Sequence, residues 1–322
     1  MAAKGFTLLE LLVVVAILSA VALASFGLVS EDRAQVRIDD TRNRLAVLRR
    51  AVLGVESPAY GGEMRLSGFV ADNGRLPGSV AELLVATGME TNAGISVPVS
   101  SSIDSVTCLQ TGGDPVADVK LVKGHRGNYL AGVAQNGVFR DGWGNDWNVS
   151  PEADDSGMTF ISYGADDVLD DPDPLVKNDI PAENDQATKI AEADWRVALD
   201  GWQITLKNIG APSASPAQTH YDDTLGVVLQ VYENVGSGGQ WRQFRNTSST
   251  CVAVPGEGES CTLTFGSKCA SGAAYDAKVP AGRHLLVLTE NGRLPSLAPT
   301  VFAQVDIYPG ALPPPVTLEV RQ

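Results

Sequence analysis

The chain has 322 residues, 44% of them hydrophobic, and a formal net charge of −14. It is too long for one typical domain and long enough for an anchor with two globular parts. The acidic balance excludes a nucleic-acid binder, which needs a basic face, and the singly scattered His125, His220 and His284 exclude the close ligand spacing of a zinc site.

Residues 6–29 form an apolar run of mainly Leu, Val, Ala, Ile and Phe, interrupted by one acid, Glu10. As a helix this run would extend roughly 36 Å, enough to span a bilayer core with some tilt. A carboxylate there costs on the order of 2.5–3.5 kcal/mol near the membrane centre, and such a residue is normally kept because it pairs with something. The leader is Met1-Ala2-Ala3-Lys4-Gly5. Its basic and small residues precede the apolar run, whereas a secretory signal is cut after its apolar core. Cutting after Gly5 would leave the helix on the mature protein and free an ammonium at Phe6, the natural cation for Glu10 of a neighbouring subunit. The plainer alternative is a single-pass anchor whose acid is incidental.

The helix is expected to continue to residue 55. Val36, Leu45, Leu48 and Val52 mark a rough apolar stripe, and Arg33, Arg37, Arg42, Arg44, Arg49 and Arg50 the polar side. Gly54, Ser57, Pro58, Gly61 and Gly62 then end it. A helix that is apolar all round at first and amphipathic later must pack its second half on a globular head.

Asn73-Gly74-Arg75-Leu76-Pro77 reads as a turn into a short helix over 79–87, with Gly78 or Ser79 at its start. Residues 95–123 read as polar and mixed, with a loop at Gly112-Gly113-Asp114-Pro115, and His125 as a surface residue of a polar turn. Asp141-Gly142-Trp143-Gly144-Asn145 is a tight turn, its glycines taking unusual backbone angles and its Trp anchoring it on the core. Residues 158–163 alternate as a strand. An Asp-rich loop follows, and Asp166, Asp167, Asp170, Asp171, Asp173 and Asp179 would repel one another without a cation. Ca²⁺, which takes six to eight oxygens in a flexible shell, suits such a loop. The other reading is a solvated loop stiffened by Pro172 and Pro174.

Residues 181–193 read as a polar linker. Beyond it, segments 202–206, 226–232, 261–265, 284–289, 302–307 and 316–320 alternate between turns rich in Gly, Pro and Ser, which predicts a β-sandwich of about seven strands. The stretch Trp241-Arg242-Gln243-Phe244-Arg245 is either a basic aromatic patch or a strand with one face in the core. Four cysteines allow three pairings. Cys251 and Cys261 flank the turn-rich Pro255-Gly256-Glu257-Gly258-Glu259, which favours a hairpin-closing bridge; Cys108 and Cys269 then pair or stay free. There is no nucleophile elbow, phosphate loop or His-containing metal motif. The expectation is therefore that the chain is not an enzyme, although members of a triad need not be neighbours in sequence.

Lys4-Gly5-Phe6-Thr7-Leu8-Leu9-Glu10, followed by the apolar helix, resembles the class III signal of type IV pilins and type II secretion pseudopilins. The resemblance implies cleavage between Gly5 and Phe6 by prepilin peptidase, N-methylation of Phe6, and assembly with other pilin or pseudopilin subunits through an inner-membrane assembly platform. Residues 141–145 are similar to the Asp-Pro-Trp-Gly-Asn turn of the major pseudopilin, with Gly142 in the place of Pro. Tyr163-Gly164-Ala165-Asp166 and Asn178-Asp179-Ile180 then fill the places of that family's calcium loop. This implies Asp166 and Asp179 as carboxylate ligands, Asn178 where an acid often stands, and the Tyr163 carbonyl. The intervening loop is longer than the family's, so Asp170, Asp171 and Asp173 could substitute or compete. The likeness spans about residues 1–180. Residues 279–287 are similar to a strand pattern of transthyretin-like and carboxypeptidase-regulatory-like modules.

The expected fold is α+β: a long N-terminal pilin helix with a small antiparallel-sheet head, followed by an all-β, sandwich-like C-terminal domain. Its parts are a leader (1–5), a helix (6–55, with 6–29 transmembrane), a head with the acidic loop (56–180), a linker (181–193) and the β domain (194–322). The expected function is a structural subunit of a type II secretion pseudopilus or type IV pilus-like filament, minor or specialised because the β domain is bulky. It would be a single-pass protein of the bacterial inner membrane with its C-terminal part periplasmic or extracellular. Two alternatives are an anchored extracellular binding protein or adhesin that uses the start only for delivery, and a secreted enzyme on a pilin stem.

Overall fold

The computed structural model describes residues 8–54, 66–86, 88–91, 93–104, 108–131, 137–154, 156–165, 167, 186–210, 224–235, 239–249, 251, 256–266, 278–291, 293–295 and 300–320, without the side chains of 9–10, 22–32, 117–118 and 248–249. A helix, α1 (Leu8–Leu53), is followed by two short ones, α2 (Phe69–Asn73) and α3 (Val80–Leu84). The strands are β1 (Ala93–Val99), β2 (Asp114–Lys123), β3 (Asn148–Pro151), β4 (Met158–Ser162), β5 (Gln186–Ile190), β6 (Arg196–Ala198), β7 (Gln203–Asn208), β8 (Leu225–Glu233), β9 (Gln240–Ser249), β10 (Ser260–Phe265), β11 (Lys278–Pro280), β12 (Gly282–Glu290), β13 (Phe302–Ile307) and β14 (Val316–Val320). The architecture is mostly β with few helices. Two compact units share it, one of Met1–Val47, Phe139–Ser150 and Thr159–Lys189, the other of Leu48–Val138, Pro151–Met158 and Ile190–Gln322.

Along α1, Ile38, Thr41, Leu45, Leu48 and Val52 are buried, a spacing of three and four residues that draws one stripe down the helix. Val36, expected on that stripe, is 67% exposed. It stands nine residues before Leu45 and so falls about 180° away at 3.6 residues per turn. Ion pairs one turn apart line the polar side, among them Arg44–Asp40 at 2.9 Å. The helix stops at Gly54, whose φ of 87° is left-handed and whose N–H donates to the Arg50 carbonyl at 2.8 Å.

In the second unit, seven strands form one sheet in the order β13-β12-β8-β9-β10-β7-β14. The expected strands are present, but in one sheet rather than in two stacked ones. The long β9 is the reason. Its first half pairs with β8 from Glu233↔Gln240 to Val228↔Arg245, and its far end pairs with β10 at Ser248 and Ser249. The sheet curls toward a barrel around a single core to which both halves contribute: Leu229 and Leu286 from one side, Ile204, Leu263 and Leu318 from the other. β14 closes the far edge parallel to β7. The outer face of β8 and β12 is covered by the antiparallel pair β1–β2, which packs Val97, Val99 and Leu121 on Val228, Leu285 and Val287. That pair replaces the polar, mixed segment expected at 95–123. Gln243 fixes its seat: the side chain accepts from the Ser100 N–H at 3.1 Å and donates to the Ser100 carbonyl at 3.0 Å. A further sheet has the order β3-β4-β5.

Candidate functional site

Gly5 and Phe6 lie outside the described residues, and Glu10 is described only as backbone within α1. What is described of this end is an apolar surface. Leu8, Leu11, Leu12, Val13, Val14, Val15, Ile17, Leu18 and Val21 are all exposed. At 100° per residue they point to every side of the helix, the pattern of a segment made for burial in lipid or among other helices. Ser19 removes its own polarity by donating its hydroxyl to the Val15 carbonyl at 2.8 Å. Among the described residues no helix is long and apolar enough to cross a membrane. The contiguous stretch with described side chains, 11–21, is about 16 Å of helix, roughly half a bilayer core.

Farther along α1 the 141–145 turn rests on the helix. Asp141 organises it: Oδ1 accepts the N–H groups of Trp143 at 2.9 Å and Asn145 at 2.8 Å, and Oδ2 accepts the Ser162 hydroxyl at 2.6 Å. Gly144 takes the left-handed φ of 96°. Gly142 serves a different purpose. Its N–H donates to Thr41 Oγ1 at 3.0 Å, and a Cβ there would overlap the Arg37 carbonyl oxygen and approach the Thr41 nitrogen to 3.0 Å. A proline could offer neither that donor nor that clearance, so glycine suits the way this turn meets its helix. Trp143 is not the core anchor expected. It is half-buried, with the Arg37 guanidinium 5.4 Å from its ring centroid; the buried aromatics are Phe139 and Trp147, stacked at 6.2 Å. The turn meets the helix through its backbone at Gly142 and through the indole of Trp143 against Arg37.

Of the expected calcium ligands, Asp166, Asn178 and Asp179 lie outside the described residues, and Tyr163 is half-buried at the end of β4. The nearby Asp141 is engaged by the turn and by Ser162, with Oδ1 accepting two N–H groups and Oδ2 the hydroxyl. Among the described residues no group of three or more His, Cys, Asp or Glu could hold a metal ion. Cys251 and Cys261 are joined, with Cα atoms 5.7 Å apart. Cys108 is also disulfide-bonded, and the remaining cysteine, Cys269, lies outside the described residues.

His125 is 2% exposed, not the surface residue expected. Its Nε2 donates to the Glu82 carbonyl at 2.7 Å and its Nδ1 accepts the Gly127 N–H at 3.0 Å, so both nitrogens are committed. The Trp241–Arg245 stretch is a strand buried on both faces: Phe244 enters the sheet core, Gln243 is buried on the opposite face against Ser100, and Arg242 pairs with Glu233 at 2.8 Å.

A buried polar cluster that sequence reasoning missed lies in the second unit. Lys123 Nζ, 1% exposed, donates to the Ala71 carbonyl at 2.8 Å. Burial pushes this lysine down to about 7, against the pull of Asp72. Asp72 receives Arg126 Nε at 2.7 Å and the Tyr129 hydroxyl at 3.0 Å; burial still raises its carboxyl to about 6, outweighing Arg126 and Tyr129. His284 is fully buried, its Nε2 2.8 Å from the Pro280 carbonyl and its Nδ1 without a hydrogen-bond partner among the described residues. Burial, then Lys123, lowers it to about 3. The only signal in the sequence was a charge inside an alternating segment, which a solvated strand shows equally.

Residues 1–26 match the prokaryotic N-terminal methylation motif. That motif is typical of type IV pilins and pseudopilins, and it implies a membrane-anchored precursor that prepilin peptidase processes. The match covers the start of the chain and assigns nothing beyond it. No curated protein and no solved structure matches the chain.

Proposed function

We propose that the protein is a structural subunit, minor or specialised, of a type IV pilus-like filament or type II secretion pseudopilus. Prepilin peptidase would cut between Gly5 and Phe6, and the Phe6 ammonium of each incoming subunit would pair with Glu10 of a neighbour. A polar pair in an otherwise dry helical bundle penalises wrong offsets and so sets the register. The observation that carries this reading is the N-terminal methylation motif at 1–26. The apolar residues exposed on every side of α1 support it, because helices of other subunits would cover them. A structural Ca²⁺ held by Asp166, Asn178, Asp179 and the Tyr163 carbonyl is part of the same proposal.

Mass spectrometry of the native polypeptide is the test, with a start at a methylated Phe6 expected and a start at Met1 overturning the reading. Glu10→Ala should spare membrane insertion and abolish incorporation into filaments. Normal incorporation of that variant would remove the pairing account, and absence of the wild-type protein from purified filaments would favour an anchored binding protein.

A further inference from the structure

In the unit that holds the curled sheet, a cavity of about 400 Å³ opens where charge meets apolar wall. Its size falls among those of small-molecule sites. Leu76, Pro77, Met158 and Val235 supply apolar surface, and three guanidinium groups, Arg75, Arg196 and Arg242, reach it together with Glu233.

Two of these cations are balanced. Arg75 Nη1 lies 2.8 Å from Glu82 Oε2, and Arg242 Nε lies 2.8 Å from Glu233 Oε1. Arg196 is paired more loosely. Its paired acid, Glu192, is 3.6 Å away and stands closer to Lys278 Nζ, at 2.7 Å, and the other acid it acts on, Asp154, is fully exposed to solvent, which screens the attraction. One carboxylate therefore answers to two cations, and an under-neutralised guanidinium remains on the cavity wall of a chain whose formal net charge is −14. Arg196 is also held in place. Its Cζ is 4.2 Å from the Trp195 ring centroid, and that indole donates to the Ser156 carbonyl at 2.8 Å. The backbone of Arg196 pairs with Pro280 across β6 and β11. A guanidinium stacked on an aromatic face keeps its N–H donors at its edge, in the fork that a carboxylate fits with two hydrogen bonds.

We propose that this cavity binds a small carboxylate-bearing ligand, with its carboxylate on Arg196 and a short apolar body against Leu76, Pro77, Met158 and Val235. A free carboxylic acid and the C-terminal end of a polypeptide share that chemistry. The site lies outside residues 1–26, so it stands or falls independently of the filament reading.

The test is ligand-observed saturation-transfer NMR on the full chain in neutral detergent micelles, with N-acetyl-L-leucine, N-acetyl-L-leucinamide and a tetrapeptide ending in leucine carboxylate. The acid is expected to bind and the amide to bind at least about tenfold more weakly. Tetrapeptide binding at least as tight as that of the acid assigns a polypeptide end, and weaker binding assigns a free acid. Arg196→Gln should lose at least about tenfold for the acid. Lys278→Met alters no wall residue and leaves Glu192 to Arg196 alone, so it should also weaken the acid and decides the matter if Arg196→Gln does not fold. Equal binding of acid and amide, no binding of the acid up to about 50 mM, or wild-type affinity in the folded variants would overturn the proposal.

Discussion

Lys123 offers a direct test of the energetics in the second unit. Its ammonium is 1% exposed and titrates near 7 because burial disfavours the charge. In the unfolded chain it would titrate near the ordinary lysine value of 10.5. Between those two values the unfolded chain binds more protons than the native one, so stability must rise with pH across this window. The contribution is fully present above the unfolded value and is lost as pH falls through the native one. From pH 7 to pH 9 the expected gain is about 2 kcal/mol. Neighbouring groups leave the span from pH 7 to pH 9 clear. Asp72 titrates near 6 and His284 near 3, both below it, while Tyr129 is raised above the usual tyrosine range by burial and by Asp72. Lys123→Met keeps the length of the side chain and removes the proton. The assay is urea unfolding of the full chain in neutral detergent, followed by tryptophan fluorescence at pH 7, 8 and 9. Wild type should become more stable along this series and Lys123→Met should be flat. A flat wild type, or a variant with the same slope, would refute the account of a desolvated ammonium.

Gly142→Pro removes the donor to Thr41 and drives a ring into the Arg37 carbonyl, and should cost about 2–4 kcal/mol in urea unfolding. Gly144→Ala meets nothing within 4 Å and strains only its φ, so about 1 kcal/mol is expected. If Asp166, Asn178 and Asp179 hold calcium as proposed, millimolar Ca²⁺ should raise the Tm of the full chain by about a few degrees. Asp166→Asn combined with Asp179→Asn should erase that rise, and an unchanged Tm in the wild type would count against the site. Replacing Cys251 and Cys261 by serine opens a loop with a sequence separation of 10 and should lower unfolding free energy by about 2–3 kcal/mol, read from denaturant midpoints.

Short-range chemistry was the part legible in the sequence. The strand at 302–307 and that at 316–320 show their alternation locally, and β13 and β14 occupy those residues. Gly54 marks the end of α1 because a left-handed terminus needs no partner from elsewhere in the chain. Long-range partners were hidden. Val97, Val99 and Leu121 alternate as clearly as the C-terminal strands, but Pro98, Pro115 and the charged residues between them made the segment look like loop. What makes it a strand pair is the apolar outer face of β8 and β12, more than a hundred residues away. His125 read as solvated for the same reason, and Lys123 gave no sign of burial: the groups that bury them come from distant segments. The N-terminal motif was legible because its chemistry is contained in seven successive residues, whereas the cavity at Arg196 is assembled from four separate stretches of chain.

The two kinds of apolar surface in this chain have different fates. The core of the curled sheet is closed within its own unit: β8 and β12 are buried along almost their whole length by the sheet interior on one side and by β1–β2 on the other. The first turns of α1 have no such cover among the described residues, and apolar side chains on every side of a helix are not stable in water. Lipid or other chains would supply such cover. A unit whose core is complete can tolerate changes at its recesses without losing its fold, while on the proposed filament reading the stem would answer to its neighbours. Variation at Arg196 should therefore leave filament incorporation intact, and variation at Glu10 should leave the cavity intact; loss of both functions from either change would mean that the two ends of this chain are not independent.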